Sequence, residues 1–221
     1  MKILNSISVA LLATLAFTAC GSDSDEGGMD SMENPTIYSY SIQVTNLTAA
    51  QPMSPVLVTT NSIFSVGESA SEGLEKLAEG GDNSALLDMY GVSGAGLLTP
   101  GASETINITT QKESLSLATM LVKTNDGFAG VDSYNLSELS VESSKTLYLP
   151  VYDAGTEVNS ETNTTVPGLM GEGYNVTRES ANIVRVHSGV ISYEDGLASS
   201  HLSAQDKFNN PALAVTITRT K

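Results

Sequence analysis

In the run Tyr38-Ser39-Tyr40-Ser41-Ile42-Gln43-Val44-Thr45 apolar residues occupy every second position, the period of a strand that buries one face and wets the other. Leu213 to Thr218 alternates in the same way. Val56 to Thr60, Thr105 to Thr109, Leu115 to Val122, Thr146 to Val151 and Ile183 to His187 read as further strands. About seven short strands, parted by Gly, Pro, Asn and Ser turns, predict an antiparallel sandwich rather than a parallel α/β sheet. One interval breaks the pattern. Ser69 to Glu79 gathers Leu74, Leu77 and Ala78 on one face, with Glu68, Glu72, Glu75 and Glu79 around them, and Gly80-Gly81 follows. That predicts a short amphipathic helix, with a further turn from Ser84 to Tyr90, inserted between strands to cap one side of the sandwich by packing.

The first residues have a different character. Lys2 supplies positive charge, Ile7 to Phe17 an apolar stretch, and Phe17-Thr18-Ala19-Cys20 a bacterial lipoprotein processing site, with Phe17 where Leu is usual. Residues 1–19 are expected to be a signal peptide. Cys20 is the only cysteine, so no internal disulfide is possible, and acylation is its expected fate. Gly21 after it fits export to the outer membrane. Residues 20–34 are rich in Gly, Ser and Asp and have almost nothing to bury, which predicts an acidic, disordered tether. Residues 35–221 are left for one sandwich domain, with no other run long and apolar enough to span a membrane.

The formal charge is −15, and losing Lys2 with the signal makes it −16. Such a chain repels nucleic acid phosphates and anionic lipid headgroups, so no nucleic acid partner is expected, and contact with the membrane falls to the lipid. Most of the acidity serves solubility, yet two acidic stretches stand out. Thr124-Asn125-Asp126-Gly127-Phe128-Ala129-Gly130-Val131-Asp132-Ser133 and Tyr152-Asp153-Ala154-Gly155-Thr156-Glu157 each follow a strand-like run, so both can lie at one end of a sandwich. Two bare carboxylates about 4 Å apart repel by about 4 kcal/mol at an effective dielectric near 20, a penalty that a divalent cation removes. Gly127, Gly130 and Gly155 would permit positive φ and close approach of backbone carbonyls to an ion.

The order and wording of these stretches resemble the spondin N-terminal domain family, the F-spondin and mindin-like module that also occurs in bacterial secreted proteins. Met120-Leu121-Val122, Asp126, Phe128, Gly130-Val131-Asp132-Ser133 and Tyr152-Asp153-Ala154-Gly155-Thr156-Glu157 carry the resemblance, which extends from about Tyr38 to Arg219. It implies a mainly β, C2-like antiparallel sandwich with calcium bound in loops at one end, and a role in adhesion or recognition of a protein or glycan ligand. The family's acidic positions fall on Asp126, Asp153 and Glu157. Asp132 stands behind them, because an acid there can instead cap the turn that returns to the sheet. Asn125, Asn159 and Glu161 are peripheral donors.

Other chemistries find little support. Counted from Asp153, the sixth and twelfth positions are Val158 and Thr164, not the Gly and Glu of an EF-hand. His187 and His201 are too isolated for zinc, and His187 reads as a structural residue ending a strand. No nucleophile elbow, phosphate-binding glycine loop or His-Glu-x-x-His pair occurs, so no enzymatic activity is expected.

Overall fold

A computed structural model describes residues 34–178 and 183–221. The signal peptide, Cys20 and nearly all of the tether lie outside the described residues. Pro35–Lys221 forms one unit built mainly of β-structure.

Two antiparallel sheets make the body. In the first, β1 (Tyr38–Asn46) lies between β4 (Ser103–Thr110) and β10 (Leu213–Arg219), and β7 (Ser144–Leu149) pairs with β10 at the edge. In the second, the order is β3 (Val92–Ser93), β2 (Leu57–Thr59), β5 (Ser114–Met120), β6 (Gly127–Asn135), β8 (Val151–Asp153) and β9 (Arg185–Val186). Tyr40, Ile42 and Val44 of β1, Ile106 and Ile108 of β4, and Val215 and Ile217 of β10 point inward. They meet Val58, Leu115, Leu117, Ala129 and Val151 from the six-stranded sheet in one core. This is the face-to-face packing of two sheets on one apolar core that strand alternation predicts.

The helical insertion follows the sequence closely. Helix α1 (Glu72–Gly80) starts at Ser71, whose hydroxyl accepts from the Leu74 N–H, and stops at Gly81, which takes the left-handed conformation at φ 71°. Its Leu74, Leu77 and Ala78 pack with Leu57, Ala118, Phe128 and Ala154 on the outer face of the six-stranded sheet. The sheet is therefore buried on both sides beneath α1, and β5 is buried along nearly its whole length.

Three sequence expectations change. The single strand expected from Thr146 to Val151 is two: β7 ends at Leu149 in one sheet and β8 starts at Val151 in the other. Pro150 makes the crossing, where an N–H for a ladder is not needed. The strand expected over Ile183 to His187 contracts to Arg185–Val186. The first acidic stretch is mostly not a loop, since β6 begins at Gly127, one residue after Asp126.

Candidate metal centre

The β5–β6 connection is a tight turn tied by one hydroxyl. Thr124 Oγ1 donates to the Leu121 carbonyl at 2.7 Å and accepts from the Gly127 N–H at 2.9 Å. A Cβ at Gly127 would stand 2.5 Å from that oxygen, so glycine is needed there for space. Asp126 is thereby fixed at the turn's exit. Its carbonyl accepts from the Ala154 N–H at 3.1 Å, and Gly127 and Asp153 are register partners of β6 and β8. The two acidic stretches do converge, where β6 begins and β8 ends.

The second stretch folds around Asp126. Asp126 Oδ2 accepts from the backbone N–H groups of Thr156 at 2.8 Å and Glu157 at 3.1 Å, while its Oδ1 is buried without a hydrogen-bond partner. Asp153 Oδ1 accepts from Gly155 N–H at 2.8 Å. Its Oδ2 accepts from Asn159 Nδ2 at 2.7 Å and from Arg185 Nη2 at 3.0 Å. Gly155 has φ 73° and lies against Ile183, whose carbonyl oxygen would be 2.3 Å from an added Cβ. Of the three loop glycines, only Gly155 uses positive φ. Gly130, like Gly127, serves close approach, here of Leu117 across the sheet.

Glu157 completes the group differently from the sequence expectation. Its carboxylate accepts from Asn125 Nδ2 at 3.4 Å and faces Glu79, which reaches the loops from the end of α1. Glu79 Oε2 accepts from the Asn175 N–H at 2.9 Å, and its Oε1, like Asp126 Oδ1, is buried and unpartnered. Burial pushes the Glu157 carboxyl up to about 8, with Glu79 as the next contributor and Asp126 and Glu172 adding to it. Burial, then Asp153, raises Asp126 to about 6 against the hydrogen bonds from Glu157 and Thr156. Burial also raises Glu79, partly offset by Thr156 and Asn175. Burial first, and neighbouring carboxylates second, thus raise all three groups.

The remaining candidates are engaged elsewhere. Asp132 sits within β6 beside a register irregularity, where Ser133 takes φ 48°. It accepts from the N–H groups of Ile63 and Phe64 and from the hydroxyls of Ser62 and Ser133. Burial opposes its ionisation, but those bonds outweigh it and hold the carboxyl below the usual range. Asp132 thus anchors the 62–64 segment to the sheet and shares no partner with Asp126, Asp153 or Glu157. Glu161 receives Ile191 N–H, Ser192 N–H and the Ser200 hydroxyl, and so organises the 190–202 segment. His187 is buried, and its Nδ1 accepts from Gly189 N–H, which suits the structural role read from the sequence. Burial lowers its pKa although Asp153 and Glu161 oppose the shift.

Calcium takes six to eight oxygen ligands at about 2.3–2.6 Å from carboxylates, carbonyls and water. Among the described residues no three His, Cys, Asp or Glu side chains are gathered so as to hold a metal ion. The carboxylates alone therefore make no finished cage. The donor chemistry nevertheless fits a hard cation: every acidic group here offers oxygen, Asp126 Oδ1 is orphaned next to Asp153, and the surplus charge is negative. Sequence reasoning missed Glu79 and Arg185. Glu79 looked like the wet rim of an amphipathic helix, and Arg185 enters only through the β8–β9 register, where it faces Asp153.

A family model described as Spondin_N matches residues 56–170, a span that includes β2 to β8 and both acidic stretches and is narrower than the resemblance from Tyr38 to Arg219. No curated protein matches the chain.

Proposed function

The chain belongs to the spondin N-terminal domain family, whose members are non-catalytic recognition modules, and from that premise we propose that it is a calcium-binding adhesion module held in the bacterial envelope by lipid on Cys20. The observation that carries the calcium reading is Asp126: fully buried, one oxygen spent on the Thr156 and Glu157 N–H groups, the other without a partner, and Asp153 beside it. Asp126 and Asp153 would hold the ion, and Glu157 would join them by turning away from Asn125. A bound cation supplies positive charge where burial and neighbouring carboxylates now raise the Asp126 and Glu157 carboxyls.

In this reading the ion orders the rim formed by the Leu121–Asp126 turn and the Asp153–Glu157 loop, and that rim meets a protein or glycan ligand. Calorimetric titration of the mature chain with calcium and magnesium tests it. A calcium heat that disappears in Asp126→Asn, together with a calcium-dependent rise in melting temperature, is expected. Absence of both in the wild-type chain removes the metal from the account. For the anchor, Cys20→Ser should move the protein from the membrane fraction to the soluble fraction. No helix among the described residues is long and apolar enough to cross a membrane, which suits attachment through lipid.

A further inference from the structure

The four-stranded sheet turns its inner residues to the core and leaves its outer face open. Strand alternation puts every second residue of β1, β4, β10 and β7 on that face. These positions are Ser39 to Thr45, Ser103 to Thr109, Ala214 to Thr218 and Ser144 to Tyr148, each counted by twos, and all are exposed or half-buried. Not one carries a formal charge, although the chain as a whole stands at −15. Apart from Ala214 and Tyr148 they are Ser, Thr, Asn or Gln. The register aligns them in rows across the strands, as in Thr105–Gln43–Thr216–Thr146. Rows follow at about 6.7 Å along the strands, with about 4.8 Å between neighbours across them.

The hydroxyls are held in place. Ser144 and Thr218 are 2.8 Å apart, Thr146 and Thr216 2.9 Å, Thr45 and Ser103 2.8 Å, and Ser39 and Thr109 3.1 Å. Each such pair uses one donor, so one hydroxyl hydrogen and further lone pairs per pair stay available to a ligand, already ordered. At the edge strand, Tyr148 is 66 % exposed and offers an aromatic face.

We propose that this face docks a neutral polysaccharide, specifically an extended β-1,4-linked glycan with a flat ribbon shape. Charge complementarity selects that partner. A basic ligand gains nothing on a face without carboxylates and is drawn to the acidic remainder of the surface, whereas an acidic ligand or a second copy of the chain meets net repulsion. A glycan carries no charge, exchanges hydrogen bonds with a hydroxyl and amide lattice, and can lay the C–H face of a sugar on the Tyr148 ring. The site is independent of the loop carboxylates and adds a second binding surface to the module.

Depletion of the full mature chain from solution by microcrystalline cellulose or chitin, in high salt to silence ionic adsorption, tests this. The wild-type chain should be removed by one of the two. Tyr148→Ala and the double variant Thr146→Glu with Thr216→Glu should each weaken uptake about tenfold or more, because a charge or a lost platform faces the ligand while the core is untouched. Tyr148→Ala should keep the wild-type melting temperature, the double variant, with like charges on register partners, should melt lower yet stay folded, and both should keep the calcium heat. The proposal is overturned if neither polysaccharide depletes the wild-type chain, or if the variants bind as the wild-type chain does. It is also overturned if chelation abolishes uptake from a still-folded protein, which would move binding to the rim. A concentration-dependent dimer lost in the double variant, without polysaccharide uptake, would assign the face to a second copy instead.

Discussion

Arg185 and Asp153 are register partners on β9 and β8, and the guanidinium Nη2 lies 3.0 Å from the Asp153 carboxylate. The acid is buried while Arg185 remains 44 % exposed, so the pair is a surface cation reaching down to a submerged anion. Arg185 already balances the charge of Asp153, one of the two acids proposed to hold the ion.

Replacing Arg185 should therefore separate the two counter-charges. Arg185→Ala leaves a buried carboxylate short of a donor and should cost about 1–3 kcal/mol without calcium. The same change removes a competing positive charge, so saturating calcium should restore more stability in the variant than in the wild-type chain. Urea unfolding in chelator and in calcium measures both. Equal calcium increments in the two proteins would place the ion away from Asp153.

Gly155 provides a purely structural contrast. An alanine there would combine the strained left-handed conformation, about 1–2 kcal/mol, with a Cβ 2.3 Å from the Ile183 carbonyl. Gly189 and Gly196 have φ of 92° and 101° with nothing within 4 Å of an added Cβ. Gly155→Ala should lower the melting temperature clearly more than Gly189→Ala or Gly196→Ala. It should also weaken calcium binding, since Gly155 N–H orients Asp153.

The acids should give metal-free stability an unusual pH profile. Folding raises Glu157 from 4.5 to about 8 and Asp126 from 3.8 to about 6, so the folded chain binds more protons than the unfolded one across that interval. Their contribution is complete below the unfolded values and is lost as pH climbs through the folded ones. In chelator, stability should fall between about pH 4.5 and 8, with at most about 1.4 kcal/mol lost per pH unit per proton. Urea midpoints across this range, repeated for Glu157→Gln, provide the check: the variant should lose the upper part of the slope. Calcium favours the ionised forms and should flatten the wild-type profile.

Glu79 makes a separate claim on the same cluster. It is the largest charged contributor to the raised Glu157 carboxyl after burial itself. Glu79→Gln should bring the Glu157 titration, followed by NMR of its side-chain carboxyl carbon, to lower pH and should move the falling limb of the stability profile with it. An unmoved Glu157 titration would remove Glu79 from the cluster and leave its value to burial with Asp126 and Glu172.

How far these features could be read in advance depends on local pattern. Tyr38–Asn46 and Leu213–Arg219 were legible almost to the residue, because each has one wet and one buried face and so a clear period of two. The helix was legible from its glycines and its apolar face. β6 was not. Its first four residues are all buried whatever their size, from Gly127 and Gly130 to Phe128, and its alternation is broken near Asp132 and Ser133. The meeting of Asp126 with Asp153 could be anticipated from two acidic stretches after strands, whereas Glu79 and Arg185 join it through helix docking and strand register, which leave no local mark.

Asp132 permits the sharpest division between holding the fold and holding an ion. Its carboxylate satisfies the Ile63 and Phe64 N–H groups, so Asp132→Ala would orphan backbone donors that are partly or fully buried, at about 1–3 kcal/mol. Its low-shifted carboxyl carries the opposite pH signature to Glu157. The stabilisation is present above the unfolded value near 3.8 and is lost as pH falls through the depressed folded value. Asp132→Ala should therefore reduce stability at pH 7 and remove part of the acid limb, yet leave the calcium heat unchanged. Asp126→Asn should do the reverse, abolishing the calcium heat and, in chelator, preserving or raising stability at pH 7 by removing a buried charge. Hydrogen exchange at Ile63 and Phe64 provides the local readout, accelerating in the first variant and unaffected in the second. If Asp132→Ala also lost the calcium heat while still folded, Asp132 would belong with the metal ligands and the 62–64 anchor would be incidental.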